Sequence, residues 1–278
     1  IIEKKWHKWT IGDADNNITH TTNHKPYCVI SFKKWKNYCL KTKNLLKIKN
    51  KKVLQYFSID NYFKIITADN KEYYAEKIYD SRSVKEKKGE LIQHFFGINI
   101  TVADNTFDEK KLTLMYFTEE NDVLHFIYVL PFSHNKALVE STVFSKETFH
   151  SSWYREKINR YLKLKNIIEY KENTTETGII PMFFSEEKKS PYSNIFNIGI
   201  RGGACKPSTG YAFSFLIKQI QLLKNSKKNY VNIHKFLERK MDKIFINFLK
   251  NNTENGQSFI KLASKLNGNE FQSFMMGE

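Results

Sequence analysis

Cysteine is scarce: Cys28, Cys39 and Cys205 are the three in 278 residues. An odd number without paired spacing argues against a disulfide framework and a zinc knuckle, and makes a reducing, cytoplasmic setting the expectation. Long apolar runs are missing too. The longest, such as HFIYVLPF at 125–132, fall far short of the roughly 20 residues needed to cross a bilayer, so no transmembrane helix is expected. The 5 prolines and 11 glycines form no linker, and no internal repeat or low-complexity block divides the chain. No His/Cys/Asp cluster has metal-ligand spacing, and neither GxSxG nor a P-loop occurs, so no metal is expected. The first residue is Ile1, and no basic-then-apolar leader follows it, which reads as a start inside a longer protein.

Positive charge, by contrast, is plentiful: 45 Lys and Arg against 29 Asp and Glu, a formal net charge of +16. A basic surface attracts nucleic acid or anionic lipid at long range. The lysines are scattered in runs such as KIKNKK and KEKK, the pattern of a solvated surface. No helix-turn-helix, finger or aromatic RNA-binding signature accompanies them, so nucleic acid is not an expected partner. The 41% apolar content suffices for a real core and, at roughly 150 residues per domain, one or two subdomains.

From about residue 27 to 145, period-two and β-rich runs dominate: VISF, KVLQYFSI, FKIITA, KEYYAEKIY, LTLMYF, VLHFIYVLPF and ALVESTVF. Asp/Asn turns such as ADNK at 68–71 separate several of them, which predicts a large antiparallel sheet. Helical periodicity marks 32–42 and 151–165, where Trp153, Ile158, Tyr161 and Leu162 share a face. The last third reads as three helices: STGYAFSFLIKQIQLLK, YVNIHKFLERKMDKIFINFLK and SFIKLASKL. The fold class expected is mixed α/β, or α+β, with the sheet in the first part.

Two segments carry possible chemistry. In IGIRGGACKPSTGYAF, residues 198–213, a β-run enters a glycine-rich turn, and Pro207, Ser208 and Thr209 lead towards a helix. Glycines permit close backbone approach, and a helix start offers unpaired N–H groups to a phosphate. The same pattern equally makes a plain tight turn. In ALVESTVF, Glu140 sits in a strongly apolar strand. It lies either on a solvated face or in an apolar pocket that would raise its proton affinity, and the spacing alone favours the solvated face. IYDSR sets Asp80 and Arg82 at a strand end, a turn or an ion pair. His94 in QHFFGINI reads as a satisfied structural histidine or a base.

The order of blocks is more telling than any one of them. IYDSR (78–82), QHFFGINI (93–100), TFDEKKLTLMYF (106–117), FIYVLPFSHNKALVESTVF (126–144), ETGIIPM (176–182) and GIRGGACKPSTGYAF (199–213) succeed one another in a way that resembles the bacterial and plant lycopene β-cyclase family. The resemblance runs from about residue 25 to 215, with a weaker helical tail. It implies a Rossmann-type FAD-binding flavoprotein fold interleaved with an antiparallel substrate sheet. It also implies noncovalent FAD working in its reduced form, NAD(P)H or another cellular donor as reductant, and lycopene or other linear carotenoids as substrate.

Matched position by position, the resemblance makes Glu140 the acid/base residue, and Arg201, Gly202, Gly203, Pro207, Ser208, Thr209 and Gly210 the carboxy-terminal flavin-binding segment. Asp80 and Arg82 match a D-x-R block near the flavin. It further implies a substrate-sheet region over 1–185, a flavin-contacting strand–loop–helix with a helical tail over 186–278, and peripheral association with a membrane, where carotenoids dissolve.

Three departures stand out. The family's GxGxxG, its ribose-binding acid and a Trp-Cys-Phe-Trp-like segment do not occur; Met115, Tyr116, Phe117 and Thr118 replace a Met-Asp-Phe-Arg block, and Ser141 stands where a second acid follows the glutamate; and the carboxy end, FQSFMMGE, stops inside a family block. A chain cut at both ends, binding FAD poorly alone, is therefore expected. Other readings of the same residues are an ε-type cyclase or a monooxygenase of this fold, and a non-catalytic basic lipid-binding protein.

Overall fold

The computed structural model describes residues 1–276 apart from 24, 43–49, 85–86, 104, 121–122, 185–188 and 227. Positions 47–49 of the KIKNKK run, 85–86 of KEKK, the expected domain boundary at 185–186 and the last two residues lie outside the described residues.

The chain opens with β1 (Ile2–Trp6), β2 (Lys8–Gly12), β3 (Asn17–Thr21) and β4 (Tyr27–Ile30), then helix α1 (Phe32–Cys39). β5 (Val53–Ile59), β6 (Tyr62–Thr67) and β7 (Glu72–Ala75) form a three-stranded antiparallel sheet, and the short β8 (Ile78–Asp80) follows. The long strands come next: β9 (Ile92–Thr101), β10 (Lys111–Phe117), β11 (Leu124–Ser133), β12 (Lys136–Ser145) and, after helix α2 (Ser151–Leu164), β13 (Lys171–Pro181). β14 (Ile195–Asn197) enters the glycine-rich loop. Helices α3 (Phe213–Lys224), α4 (Phe236–Asn251), α5 (Gly256–Ala263) and α6 (Gly268–Met276) complete the chain.

The main sheet has seven strands in the order β13-β9-β12-β11-β10-β2-β3. Its pairs are antiparallel except β2 with β10, which run parallel, so the expected antiparallel sheet is mixed. β12 is an inner strand, and two-residue alternation sends Leu138, Thr142 and Phe144 to one face and Ala137, Val139 and Val143 to the other. The second face is sealed by α2 through Tyr154, Ile158, Tyr161 and Leu162. The first packs on Trp6, Trp9, Met182, Phe245, Leu249 and Phe271, which joins the sheet to the carboxy-terminal helices in one core. Ile127, Val139, Val143 and Ile158 are wholly buried, each worth about 1.5–3 kcal/mol of hydrophobic stabilisation. Pro131 lies in β11 opposite Ala137 of β12 and beyond Val129, the last residue of β11 that is paired with β10.

Two expectations shift in the last third. Helix α3 begins at Phe213, with Ala212 as its N-cap, not at Ser208. Gly210, at φ 74°, adopts a left-handed conformation that ends the preceding turn and delays the helix. Residues 230–235 ahead of α4 are likewise not helical. The 71–79 run divides into β7 and β8, which belong to different sheets.

Candidate active site

Glu140 points to the face of β12 that packs on the carboxy-terminal helices, and 9% of it is exposed. The solvated face that spacing favours is therefore wrong. With both faces of the sheet covered, alternation no longer separates polar from apolar, and a buried carboxylate looks like a misplaced surface one. Burial is the largest influence on its carboxyl and raises its pKa to about 8. The Thr142 hydroxyl, donating to Oε1 at 2.7 Å, opposes that shift, and the charge of Glu176 adds to it. Near neutral pH Glu140 holds its proton.

A row crosses the sheet at this level. Tyr128 on β11 lies opposite Glu140, which lies opposite Gly97 on β9, which lies opposite Glu176 on β13. Tyr128 donates to the Tyr27 hydroxyl at 2.7 Å, and Tyr211, from the glycine-rich loop, is also hydrogen-bonded to Tyr27. Burial raises the pKa of all three phenols, so they remain neutral. Tyr27 and Tyr211 line a 450 Å³ cavity together with Trp9, Leu114, Phe213 and Met275. The result is a protonated acid beside an aromatic wall, and that wall borders an apolar cavity.

The other face of β12 carries Ser141, whose hydroxyl lies 2.8 Å from His125 Nε2. His94 lies 2.7 Å from both the Ser145 and Tyr154 hydroxyls. Burial lowers His125 to about 3 and His94 to about 4, so both rings are neutral and bonded. His94 is thus a satisfied structural histidine. An acid at 141 would sit beneath α2, on the face away from Glu140.

The D-x-R segment and the loop meet through a two-stranded parallel sheet in which Asn197 of β14 is level with Asp80 of β8. Arg82 grips Asp80 with both Nε and Nη2, at 2.9 and 2.7 Å, and Arg201 Nε lies 3.3 Å from the same carboxylate. Burial tends to raise the Asp80 carboxyl, but the hydrogen bonds and charges of the two arginines outweigh it and hold the carboxyl below its ordinary value. Gly202 packs so closely that a Cβ there would stand 2.1 Å from the Asn197 carbonyl oxygen. Gly202, Gly203 and Pro207 line a 280 Å³ cavity to which Arg239 and Lys243 also contribute.

Ser208 and Thr209 are engaged elsewhere. Ser208 Oγ bonds Asp242 at 2.5 Å and accepts from Lys206 Nζ at 2.8 Å, while Lys206 also pairs with Asp242. Thr209 donates to the Met275 carbonyl at 3.1 Å. These side chains tie the loop to α4 and α6.

The structure therefore draws the sequence candidates into two groups: Asp80, Arg82, Arg201, Gly202, Gly203 and Pro207 at the loop, and Glu140 on the sheet. Gly210 and Tyr211 link them, since a Cβ on Gly210 would meet Gln93 Oε1 of β9 at 2.6 Å. Sequence reasoning missed Tyr27, Tyr211, Gly97 and Glu176. The signal available was a glycine inside the QHFFGINI strand, which marks a place where something must approach the backbone.

This mixed α/β architecture is that of FAD-binding flavoproteins. It matches a geranylgeranyl bacteriochlorophyll reductase-like protein from Thermoplasma acidophilum with a TM-score of 0.60 at 12% identity, over 99% of this chain and 70% of that one. HpxO of Klebsiella pneumoniae, solved with FAD and uric acid, gives 0.59 at 9% identity over 99% and 81%. A flavoprotein/dehydrogenase of Cytophaga hutchinsonii gives 0.56 at 10% over 99% and 76%. No curated protein matches the chain in sequence. The chain belongs to the lycopene cyclase protein family, whose description it matches over residues 1–278. It is thus a carotenoid-related enzyme built on a flavoprotein fold.

Proposed function

We propose that the protein is a lycopene β-cyclase, which converts the linear ends of lycopene to β-ionone rings by isomerisation with no net redox change. The observation that carries this reading is Glu140, a carboxyl kept protonated near neutral pH by burial on an apolar, aromatic face. Ring closure begins with proton delivery to a terminal alkene, the task of a general acid whose pKa lies near the working pH. A tertiary carbocation then closes the ring, and loss of a ring proton sets the double bond. The ring faces of Tyr27, Tyr128 and Tyr211 favour a cation nearby, and the apolar cavity beside them keeps water from capturing it.

The loop residues fit a flavin nucleotide. Gly202, Gly203 and Pro207 offer backbone against a cavity with Arg239 and Lys243, and an adjoining 740 Å³ cavity, lined by Arg82, Lys87 and Lys146, shares Pro181, Phe183 and Ile200 with it. Cations beside closely approachable backbone suit an anionic ligand. Asp80, Arg82, Arg201, Gly202, Gly203, Pro207 and Gly210 are the residues we assign to holding FAD, with Ser208 and Thr209 bracing the loop behind them. When bound and reduced, with NAD(P)H as donor, FAD supplies negative charge that stabilises the developing cation.

Lycopene lies in membranes, and peripheral docking follows from that substrate. No helix among the described residues is long and apolar enough to cross a bilayer. Helix α4 exposes Phe236, Leu237, Met241 and Ile244 beside Lys240 and Lys243, the arrangement of a helix that lies in an anionic interface.

Expression of the full-length protein in lycopene-accumulating cells tests the reading: the wild type turns red cells orange with β-carotene, and Glu140→Gln leaves them red while retaining its yellow flavin. An α-type ring identifies an ε-type cyclase, oxygen-dependent hydroxylation a monooxygenase, and unchanged β-carotene in the variant removes Glu140 from the chemistry.

A further inference from the structure

The row across the sheet contains a second carboxylate that no part of the proposed mechanism uses. Glu176 stands on β13, two strands from Glu140, with Gly97 between them in register with both. A Cβ built on Gly97 would lie 3.2 Å from Glu176 Cγ and 3.5 Å from Glu140 Cβ. Both acidic side chains therefore flank the one position in the row that has no side chain, on the same face of the sheet. They differ in their access to water: Glu140 is buried, whereas Glu176 is exposed on the edge strand.

We propose that Glu140 and Glu176 act as one proton-holding pair across Gly97, in which the exposed carboxylate of Glu176 keeps the buried Glu140 protonated. Glu176 is a positioning residue here, acting on the substrate only through Glu140; the inference rests on the cyclase reading above. The proton balance is simple. Glu140 gives its proton to the alkene carbon, forming a C–H bond and a cation; a ring C–H bond later breaks and its proton returns to carboxylate, so no electron is gained or lost.

The groups around Glu140 agree with this division. Tyr128 from β11, Tyr27 from β4 and Tyr211 from the loop carry no charge near neutrality, and Thr142 on its own strand gives a neutral hydrogen bond. Glu176 is the charged neighbour whose field raises the Glu140 carboxyl, adding to the larger effect of burial. The like charge of Glu176 disfavours ionisation of Glu140, and the buried carboxyl keeps its proton.

The test compares wild type, Glu176→Gln and Glu176→Asp. Turnover of the flavin-loaded enzyme is followed against pH, and the Glu140 carboxyl is titrated by its infrared C=O band, identified by its loss in Glu140→Gln. In Glu176→Gln the alkaline limb of the rate profile and the infrared midpoint both move to lower pH, while turnover at low pH is kept; Glu176→Asp restores most of the shift. Identical midpoints in wild type and Glu176→Gln overturn the pairing, even where activity falls. The infrared readout needs no turnover, so a protein that never cyclises lycopene refutes the cyclase reading and leaves the pairing to be judged on its own.

Discussion

Glu140→Gln should stabilise the folded protein while destroying its activity, and the gain should depend on pH. The carboxyl moves from its ordinary 4.5 to about 8 in the folded chain, and each tenfold change in proton affinity is worth about 1.4 kcal/mol. Above pH 8 the folded state must therefore hold an ionised, buried carboxylate at a cost on the order of 5 kcal/mol. Below 4.5 both states are protonated and this cost vanishes. Between those limits the folded state binds the proton more tightly than the unfolded one, so stability falls as pH rises. Glutamine is near-isosteric, keeps an oxygen for the Thr142 hydroxyl and carries no charge. Urea unfolding of both proteins at pH 5, 7 and 9 should show nearly equal stabilities at pH 5 and a difference of several kcal/mol in favour of the variant at pH 9. A difference that does not change with pH, or a variant less stable at pH 9, would refute the claim that burial governs this carboxyl.

Gly202→Ala should destabilise the loop by about 2–4 kcal/mol, or release the flavin, because its methyl group would stand 2.1 Å from the Asn197 carbonyl oxygen; thermal unfolding and flavin retention on gel filtration measure both. Lys206→Met leaves Asp242 as an unpaired buried charge and should cost about 3–5 kcal/mol, whereas the double variant Lys206→Met/Asp242→Leu should recover much of it in a double-mutant cycle. Flotation with vesicles should depend on anionic lipid and weaken in Phe236→Ser/Ile244→Ser, since both side chains are largely exposed on α4; binding indifferent to lipid charge would count against docking through this surface.

Much of this protein was legible in one dimension. The alternating runs at 124–133 and 136–145 became the hairpin β11–β12, and the periodic stretch at 151–165 became α2 with Ile158, Tyr161 and Leu162 inward. These follow from local rules, because strand pleat and helix pitch impress their periods on any element with one buried side. The ordered blocks also identified the family, since a linear pattern survives in a linear text. Only the tertiary structure decided the rest. Glu140 proved buried because α2 and the carboxy-terminal helices cover the sheet on both faces, something the strand cannot record. Ser208 and Thr209 resembled a helix start and instead brace a loop, because their partners Asp242 and Met275 lie 34 and 66 residues away. Gly97 and Glu176, separated in the chain by three whole strands and a helix, became neighbours through register alone. Register is set by the pairing of whole strands, and no residue carries it by itself.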